Sequence, residues 1–280
     1  NILLGVTGGI AAYKAPFIVR LLKKAGANVK VIITPSAKDF VTPLTLSTVS
    51  ENTVLSSFTS DDEGQQGNNH VELALWADYI LFAPLTSNTL SKMVNGQSDN
   101  LLTAVYMSAK CPVFIAPAMD LDMYKNDATT HNLLQLQQRG VHLIDSEEGE
   151  LASGLVGKGR MAEPEDIVAF MIQTIKASKP LYGKTVFITA GPTYEPIDPV
   201  RFIGNRSTGK MGFAIADRAI ELGADVLLVS GPTTAVLNYK PKEHHRVETA
   251  REMLEYAQSA FSKCDIAIYT AAVSDYRVAH

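Results

Sequence analysis

Short apolar runs alternate with longer stretches of helical period along this chain. "NILLGVT" (1–7), "NVKVIIT" (28–34), "YILFAP" (79–84) and "PVFIAP" (112–117) read as buried parallel strands. Apolar runs of this length, bounded by turn residues, call for cover on both faces. Between them the periodicity predicts helices over 10–25, 86–94 and 98–109. Strand–helix alternation of this kind predicts βαβ units and a doubly wound sheet. A charged helix over 164–177 runs into "ASKPLYGK" (177–184), whose Lys, Pro and Gly predict a linker. The pattern then restarts. Strands are expected at "TVFITA" (185–190), "DVLLVS" (225–230) and "DIAIYT" (265–270), with helices from about 209 and over 250–262. The second α/β domain is short, and its C-terminal part is expected to be missing.

Composition narrows the classes. Of 280 residues, 46% are hydrophobic and 19% charged, which supports a packed core and argues against global disorder. A net charge of −4 gives no electrostatic reason to expect nucleic acid. No apolar run is long enough to cross a bilayer and no signal peptide is evident, so a cytoplasmic protein without membrane partners is expected. Cys111 and Cys264 lie far apart in apolar runs and are expected to be reduced core fillers. There is no CxxC, HxH or HExxH spacing, and His244-His245 falls in a charged stretch expected to be a loop. No protein-bound metal is expected.

Candidate chemistry gathers at predicted strand ends, where open α/β sheets bind ligands. "GVTGGIAAYK" follows the first strand and opens a helix. Gly8 and Gly9 let backbone amides approach an anion there. The pattern is not GxGxxG, and the second strand ends in Thr34 and Ser36 instead of the acid that would hold a dinucleotide's ribose. The third strand is followed by Thr86, Ser87, Asn88 and Thr89. Hydroxyls and amides at three strand ends suit a phosphate monoester, so a mononucleotide such as FMN fits better than NAD. The alternative is that each merely caps a helix.

"HVELALWAD" (70–78) follows the polar segment "TSDDEGQQGNN" (59–69), expected to be a mobile loop. His70 is open to three readings: packed core residue, metal ligand without partners, or proton-transfer group, since histidine exchanges its proton near neutrality.

In the second domain, "ITAGPTYEPIDPVRFIGNRSTGKMG" lacks the spacing of a Walker loop. It nevertheless has parts for anion handling: Gly191 at a strand end, Arg201 and Arg206 as guanidinium donors, and Lys210 where "STGKMG" opens a helix. The plain alternative is a solvated basic loop.

These segments, with "TPSAKDFVTPLT", "NGQSDNLLT", "IAPAMD", "GKGRMAEPEDI" and "TAAVSDYR", occur in an order that resembles the bifunctional phosphopantothenoylcysteine decarboxylase / phosphopantothenate–cysteine ligase family of coenzyme A biosynthesis. The resemblance covers nearly the whole chain. It implies an α/β protein of two tandem doubly wound Rossmann-like domains: a flavodoxin-like FMN-binding decarboxylase domain (1–178) and a truncated ligase domain (182–280). It adds Ile10, Ala118 and Met119 to the flavin-binding residues and gives His70 the role of active-site histidine, handling the proton at the thiol end. The implied chemistry is oxidation of a cysteinyl CH2–SH end, loss of CO2, and return of the electrons to give an aminothiol.

Two positions depart from the family. Asp120 stands where an asparagine usually holds the substrate carboxylate, and Ser153 stands where a cysteine usually protonates the reduced intermediate. "GKGRM" is expected to be a flexible flap. In the ligase half, Asn205 matches the residue acting on an acyl-cytidylate, and Ala271, Ala272, Val273 and Asp275 match a nucleotide-binding segment. CTP with Mg2+, 4'-phosphopantothenate, cysteine and phosphopantothenoylcysteine are the implied ligands. A homo-oligomer is implied, with trimeric flavin domains whose neighbours complete the site and dimeric ligase domains. A stand-alone peptidyl-cysteine decarboxylase, a flavin-binding scaffold that has lost activity, and an NAD(P)-dependent dehydrogenase are the competing readings.

Overall fold

The computed structural model describes residues 1–59 and 69–278. In chain order the strands of its first half are β1 (Ile2–Val6), β2 (Val29–Ile33), β3 (Tyr79–Leu85), β4 (Val113–Pro117), β5 (His142–Leu143), β6 (Glu147–Glu150) and β7 (Val156–Arg160). Its helices are α1 (Ala15–Lys24), α2 (Pro43–Ser50), α3 (His70–Trp76), α4 (Ser87–Asn95), α5 (Leu101–Ser108), α6 (Leu121–Lys125), α7 (Asp127–Gln138) and α8 (Pro164–Ala177). The second half adds β8 (Thr185–Ala190), β9 (Tyr194–Pro196), β10 (Phe202–Gly204), α9 (Lys210–Glu221), β11 (Asp225–Ser230), β12 (Glu243–Arg246), α10 (Ala250–Phe261) and β13 (Ile266–Tyr269). The chain divides into two compact units, 1–172 and 173–280.

In the first unit, β1 to β5 form one parallel sheet in the order β2-β1-β3-β4-β5. Every residue of β1 and β4 is buried, as expected of strands covered by helices on both faces. Leu3, Ile80, Phe82 and Ile115 meet Leu102 and Val105 of α5 in one core cluster. The chain leaves β1 toward β2 on one side and returns to β3 on the other. Loops diverge at that switch point and leave a crevice above the strand ends.

The second unit repeats the scheme, with β12-β11-β8-β13 all parallel. Val186, Ile188 and Val226 pack on Phe213 and Ala216 of α9, while Phe187 and Val229 pack on Met253 and Ala260 of α10.

Several expectations are corrected. The helix expected over 10–25 is a 3-10 segment (Ile10–Lys14) followed by α1. The one expected over 98–109 starts at Leu101, because Asn100 and Thr103 form a reciprocal cap. His244-His245 lies in strand β12 and not in a loop. That strand is a polar sheet edge, so it carries no hydrophobic alternation to read. "GKGRM" contributes to β7, the second strand of the β6–β7 hairpin, whose register shifts at Gly159. Its φ is +144°, and a Cβ there would collide with the Met119 carbonyl.

The 177–184 stretch is anchored and does not hang as a free linker. Leu181 packs on the second core and its N–H donates to the Leu222 carbonyl at 2.9 Å. Cys111 and Cys264 are free thiols, half-buried just before β4 and β13, so they edge the cores without filling them. The loop expected over 59–69 lies, for residues 60–68, outside the described residues. No helix among the described residues is long and apolar enough to cross a membrane.

Candidate active site

The crevice of the first unit is a cavity of about 980 Å³. Four strand ends supply it: Gly8, Gly9 and Ile10 after β1, Thr34 and Ser36 after β2, Thr86 to Thr89 after β3, and Ala118, Met119 and Asp120 after β4. Ser153, at the tip of the β6–β7 hairpin, lines it as well. The structure therefore brings together every residue expected to bind the cofactor, together with Asp120 and Ser153.

The helix-cap alternative can be tested directly. Thr42, Asn69, Asn100, Asn126 and Thr249 cap their helices with side-chain hydrogen bonds. Two residues that line the cavity, Asn100 and Asp120, cap in the same way, but three of the segments that open onto it do not. Gly9, Thr34 and Thr86 occupy N-cap positions of the 3-10 helix 10–14, the 3-10 helix 35–39 and α4, and none makes a side-chain cap bond. Their first N–H groups are left for another acceptor. An anion in the cavity would take that place. The Thr34 and Ser36 hydroxyls stand 3.3 Å apart beside Gly8, where a Cβ would come within 2.7 Å of the Ser36 Cβ. Thr7 pins the β1 and β3 loops together, donating to the Pro84 carbonyl at 2.7 Å and accepting from the Thr86 N–H at 3.0 Å. Hydroxyl, amide and close backbone approach are the donor set of a phosphate monoester, so these residues fit the phosphate end of FMN.

The cavity's cations were missed by reading the sequence. Lys14 is buried, and its ammonium donates to the Met161 carbonyl and to Glu163, both at 2.9 Å. Arg160 shares Glu163 at 2.6 Å, and Lys92 pairs with Asp99 at 2.5 Å. The Lys14 hydrogen bond, with Arg160 behind it, holds the Glu163 carboxyl below its ordinary 4.5. A lysine on the buried side of a helix was the only signal for Lys14, and helical period alone does not say what it meets.

Replacing Lys14 by Met should destabilise the first unit, because it removes two hydrogen bonds and leaves Glu163 with Arg160 alone. A loss of about 1–3 kcal/mol is expected from urea unfolding at pH 7, discounted for the partial exposure of Glu163. A depressed carboxyl pKa stabilises the fold above the unfolded value and loses that contribution as pH falls through the folded one. The gap between wild type and Lys14→Met should therefore hold near neutrality and shrink below pH 4.5.

His70 does not line this cavity. It is the first residue of α3, half-buried, with its ring edge-on to Phe58 at 6.0 Å. The helix cap is Asn69, whose Oδ1 accepts from Val71 and Glu72. Nor is α3 a fully buried helix: Val71 and Leu75 are exposed.

In the second unit the loops after β8 and β13 meet at the switch point of the sheet. The Ala272 N–H donates to the Gly191 carbonyl at 2.9 Å. Asn205 joins them, its Nδ2 donating to the Val273 carbonyl at 2.9 Å and the Ala272 carbonyl at 3.3 Å. Gly209 opens α9 with φ +71° and no side-chain cap, and it packs against Gly191, where a Cβ on Gly209 would sit 3.3 Å from the Gly191 Cα. Lys210 is exposed at that helix start. Arg206 and Lys210 have no ion-pair partner among the described residues. The Arg201 guanidinium pairs with Asp198 at 2.6 Å and is otherwise exposed. Asp275 is exposed. Among the described residues, no group of three or more His, Cys, Asp or Glu gathers to hold a metal.

Comparison with known proteins accounts for both halves. The family described as Flavoprotein matches residues 1–176, and the family described as DNA/pantothenate metabolism flavoprotein C-terminal domain matches residues 181–280. A cysteine/cysteine sulfinic acid decarboxylase from an unknown prokaryotic organism is 52% identical over 240 residues, covering 84% of this chain and 67% of that protein. The coenzyme A biosynthesis bifunctional protein CoaBC of Bacillus subtilis (strain 168) is 46% identical over 278 residues, covering 99% of this chain and 68% of its own length. Among solved structures, a PPC decarboxylase mutant complexed with pantothenoylaminoethenethiol is similar at TM-score 0.55 and 33% identity, covering 63% of this chain and 98% of that one. The FMN binding protein AtHal3 is similar at TM-score 0.54 and 32% identity, covering 63% and 97%. Two family matches in tandem, and identity with CoaBC along almost the whole chain, place this protein in the flavoprotein family of bifunctional CoaBC proteins of coenzyme A biosynthesis.

Proposed function

We propose that residues 1–178 carry an FMN-dependent phosphopantothenoylcysteine decarboxylase and residues 182–280 belong to a CTP-dependent phosphopantothenate–cysteine ligase, working in the cytoplasm. The observation that carries the first assignment is the set of uncapped helix starts converging on one cavity that also reaches Asp120 and Ser153. Gly8, Gly9, Thr34 and Ser36 would hold the phosphate of FMN. Ile10, Thr86 to Thr89, Ala118 and Met119 would line the rest of it. When bound, FMN supplies the two-electron oxidation of the substrate's CH2–SH end and its reversal. The chain's own residues orient the carboxylate and move protons. Asp120 sits where the leaving carboxylate and its neighbouring nitrogen are read. Ser153, on the hairpin tip, is the group nearest the role of proton donor to the product carbon.

His70 is not among the described residues that line the cavity, which supports a role in a neighbour's. A trimer of flavoprotein domains provides that neighbour. Ile10, Tyr13 and Phe17 are exposed at helical spacing beside the cavity mouth, and burial of such a row suits a subunit contact.

In the second unit, Asn205, Gly191 and the 271–273 backbone form the seat for an acyl-cytidylate, with Arg206 and Lys210 toward the phosphates. Mg2+ would arrive with CTP. Dimeric ligase domains complete the assembly.

The relative sharing 52% identity is named for cysteine and cysteine sulfinic acid, and the carboxylate of Asp120 favours these unblocked amino acids as a second reading of the substrate.

Product analysis tests the proposal. The FMN-loaded chain, given phosphopantothenoylcysteine without oxygen, should release CO2 and form the aminothiol slowly. Ser153→Cys should speed aminothiol formation roughly tenfold, because a thiol with a pKa near 8.5 gives up its proton far more readily than an alcohol. No CO2 from either protein would remove the decarboxylase assignment.

A further inference from the structure

The cavity's charges are matched, with a bias. Lys14 and Arg160 both pair with Glu163, and Lys92 pairs with Asp99. Two lining carboxylates, Asp120 and Glu150, have no cation within ion-pair distance among the described residues. Glu150 is exposed on the hairpin, whereas Asp120 is half-buried at the end of β4. Asp120 Oδ1 accepts from the Leu121 N–H at 2.6 Å, which fixes the carboxylate as the N-cap of α6. Oδ2 accepts no hydrogen bond from a described residue. The group is thus held in place by one oxygen, and the other, on a residue that lines the cavity, is without a hydrogen-bond partner among the described residues.

A fixed carboxylate beside a substrate carboxylate opposes it, and every lining cation that could offset this is already paired. A substrate that brings its own cation changes the balance. An α-amino acid carries an ammonium on the carbon next to its carboxylate, and an ammonium is a strong partner for a lone carboxylate oxygen. An N-acylated cysteine has only a neutral amide N–H at that place. We infer that Asp120 is a specificity-determining residue that selects substrates with a free α-ammonium, cysteine-like amino acids, over N-acylated cysteines. The inference rests on the decarboxylase reading of this cavity and takes its second substrate reading, the free amino acids, over phosphopantothenoylcysteine.

The substitution Asp120→Asn isolates the charge, since asparagine is as good an N-cap as aspartate and keeps the Leu121 hydrogen bond. CO2 release from L-cysteine and from phosphopantothenoylcysteine gives kcat/KM for each in both proteins. Wild type should prefer L-cysteine, and Asp120→Asn should shift the ratio toward the acylated substrate roughly 10- to 100-fold, the range for one charged hydrogen bond. A parallel calorimetric titration uses cysteamine and N-acetylcysteamine, which cannot lose CO2. Wild type should bind cysteamine more tightly, and the variant should lose that preference. A wild-type preference for the acylated substrate, or a ratio untouched by Asp120→Asn, overturns the inference and leaves the decarboxylase reading standing. Absence of CO2 from both substrates overturns the decarboxylase reading. The titration then still decides the role of Asp120, because equal affinity for the two amines in wild type overturns it.

Discussion

Gly8→Val should leave the fold intact and the purified protein colourless. The residue sits at the turn out of β1, and it is not in the left-handed region, so valine is allowed by the backbone. The obstacle is space. A Cβ at this position runs into the Ser36 side chain and comes within 2.9 Å of the Ser36 backbone. Ser36 cannot retreat without moving the turn that carries Thr34, so the phosphate seat closes. Each hydrogen bond to a charged group contributes about 1.5–3 kcal/mol, and losing two of them weakens FMN by roughly 100-fold or more. Flavin absorbance after reconstitution and desalting measures this. Far-ultraviolet circular dichroism should match wild type, because β1 keeps its five buried residues and its pairing with β2 and β3. A yellow Gly8→Val protein would move the phosphate elsewhere.

His70→Asn should bind FMN normally and lose decarboxylation by roughly 10²- to 10⁴-fold, the usual weight of a positioned acid–base group. Its distance from its own cavity makes a second outcome informative. The Gly8→Val chain has no flavin but keeps His70, and the His70→Asn chain has flavin but no histidine. If the histidine is delivered by a neighbour, unfolding and refolding the two together restores activity that neither has alone. With random mixing, one half times one half, about a quarter of the sites recover. Activity absent from the mixture but present in a wild-type control treated the same way would mean that His70 serves the cavity of its own chain, and full activity of His70→Asn by itself would put it outside the site.

The sheet was legible because parallel strands buried on both faces write themselves as apolar runs. β1, β2 and β4 fall within their expected segments, as do β8, β11 and β13, and β3 runs one residue past its own. What escaped notice is polar. β6 reads "EEGE" and β12 reads "EHHR", strands at a sheet edge or in a hairpin whose side chains are polar throughout and leave no hydrophobic alternation. The phosphate seat was legible because strand-end hydroxyls and glycines are local features. The pairing of Lys14 with Glu163 was not, since 149 residues separate them and nothing in either segment names the other. Arg201 carries a local pairing that the motif did not suggest: its guanidinium meets Asp198, three residues away. His70 lies between these cases. Its sequence neighbourhood suggests chemistry, and the described chain places it beside Phe58 and away from the cavity.

The central claim is that one cavity holds FMN and removes CO2 from a cysteinyl carboxylate. A single-turnover experiment tests it most directly. The FMN-loaded chain is mixed without oxygen with one equivalent of L-cysteine or phosphopantothenoylcysteine per flavin, and flavin absorbance and CO2 are followed together. The account predicts bleaching of the flavin band and release of one CO2 per flavin, with both lost in His70→Asn. Release of CO2 without any change in flavin absorbance, or an unchanged flavin with no CO2 from either substrate, would contradict it.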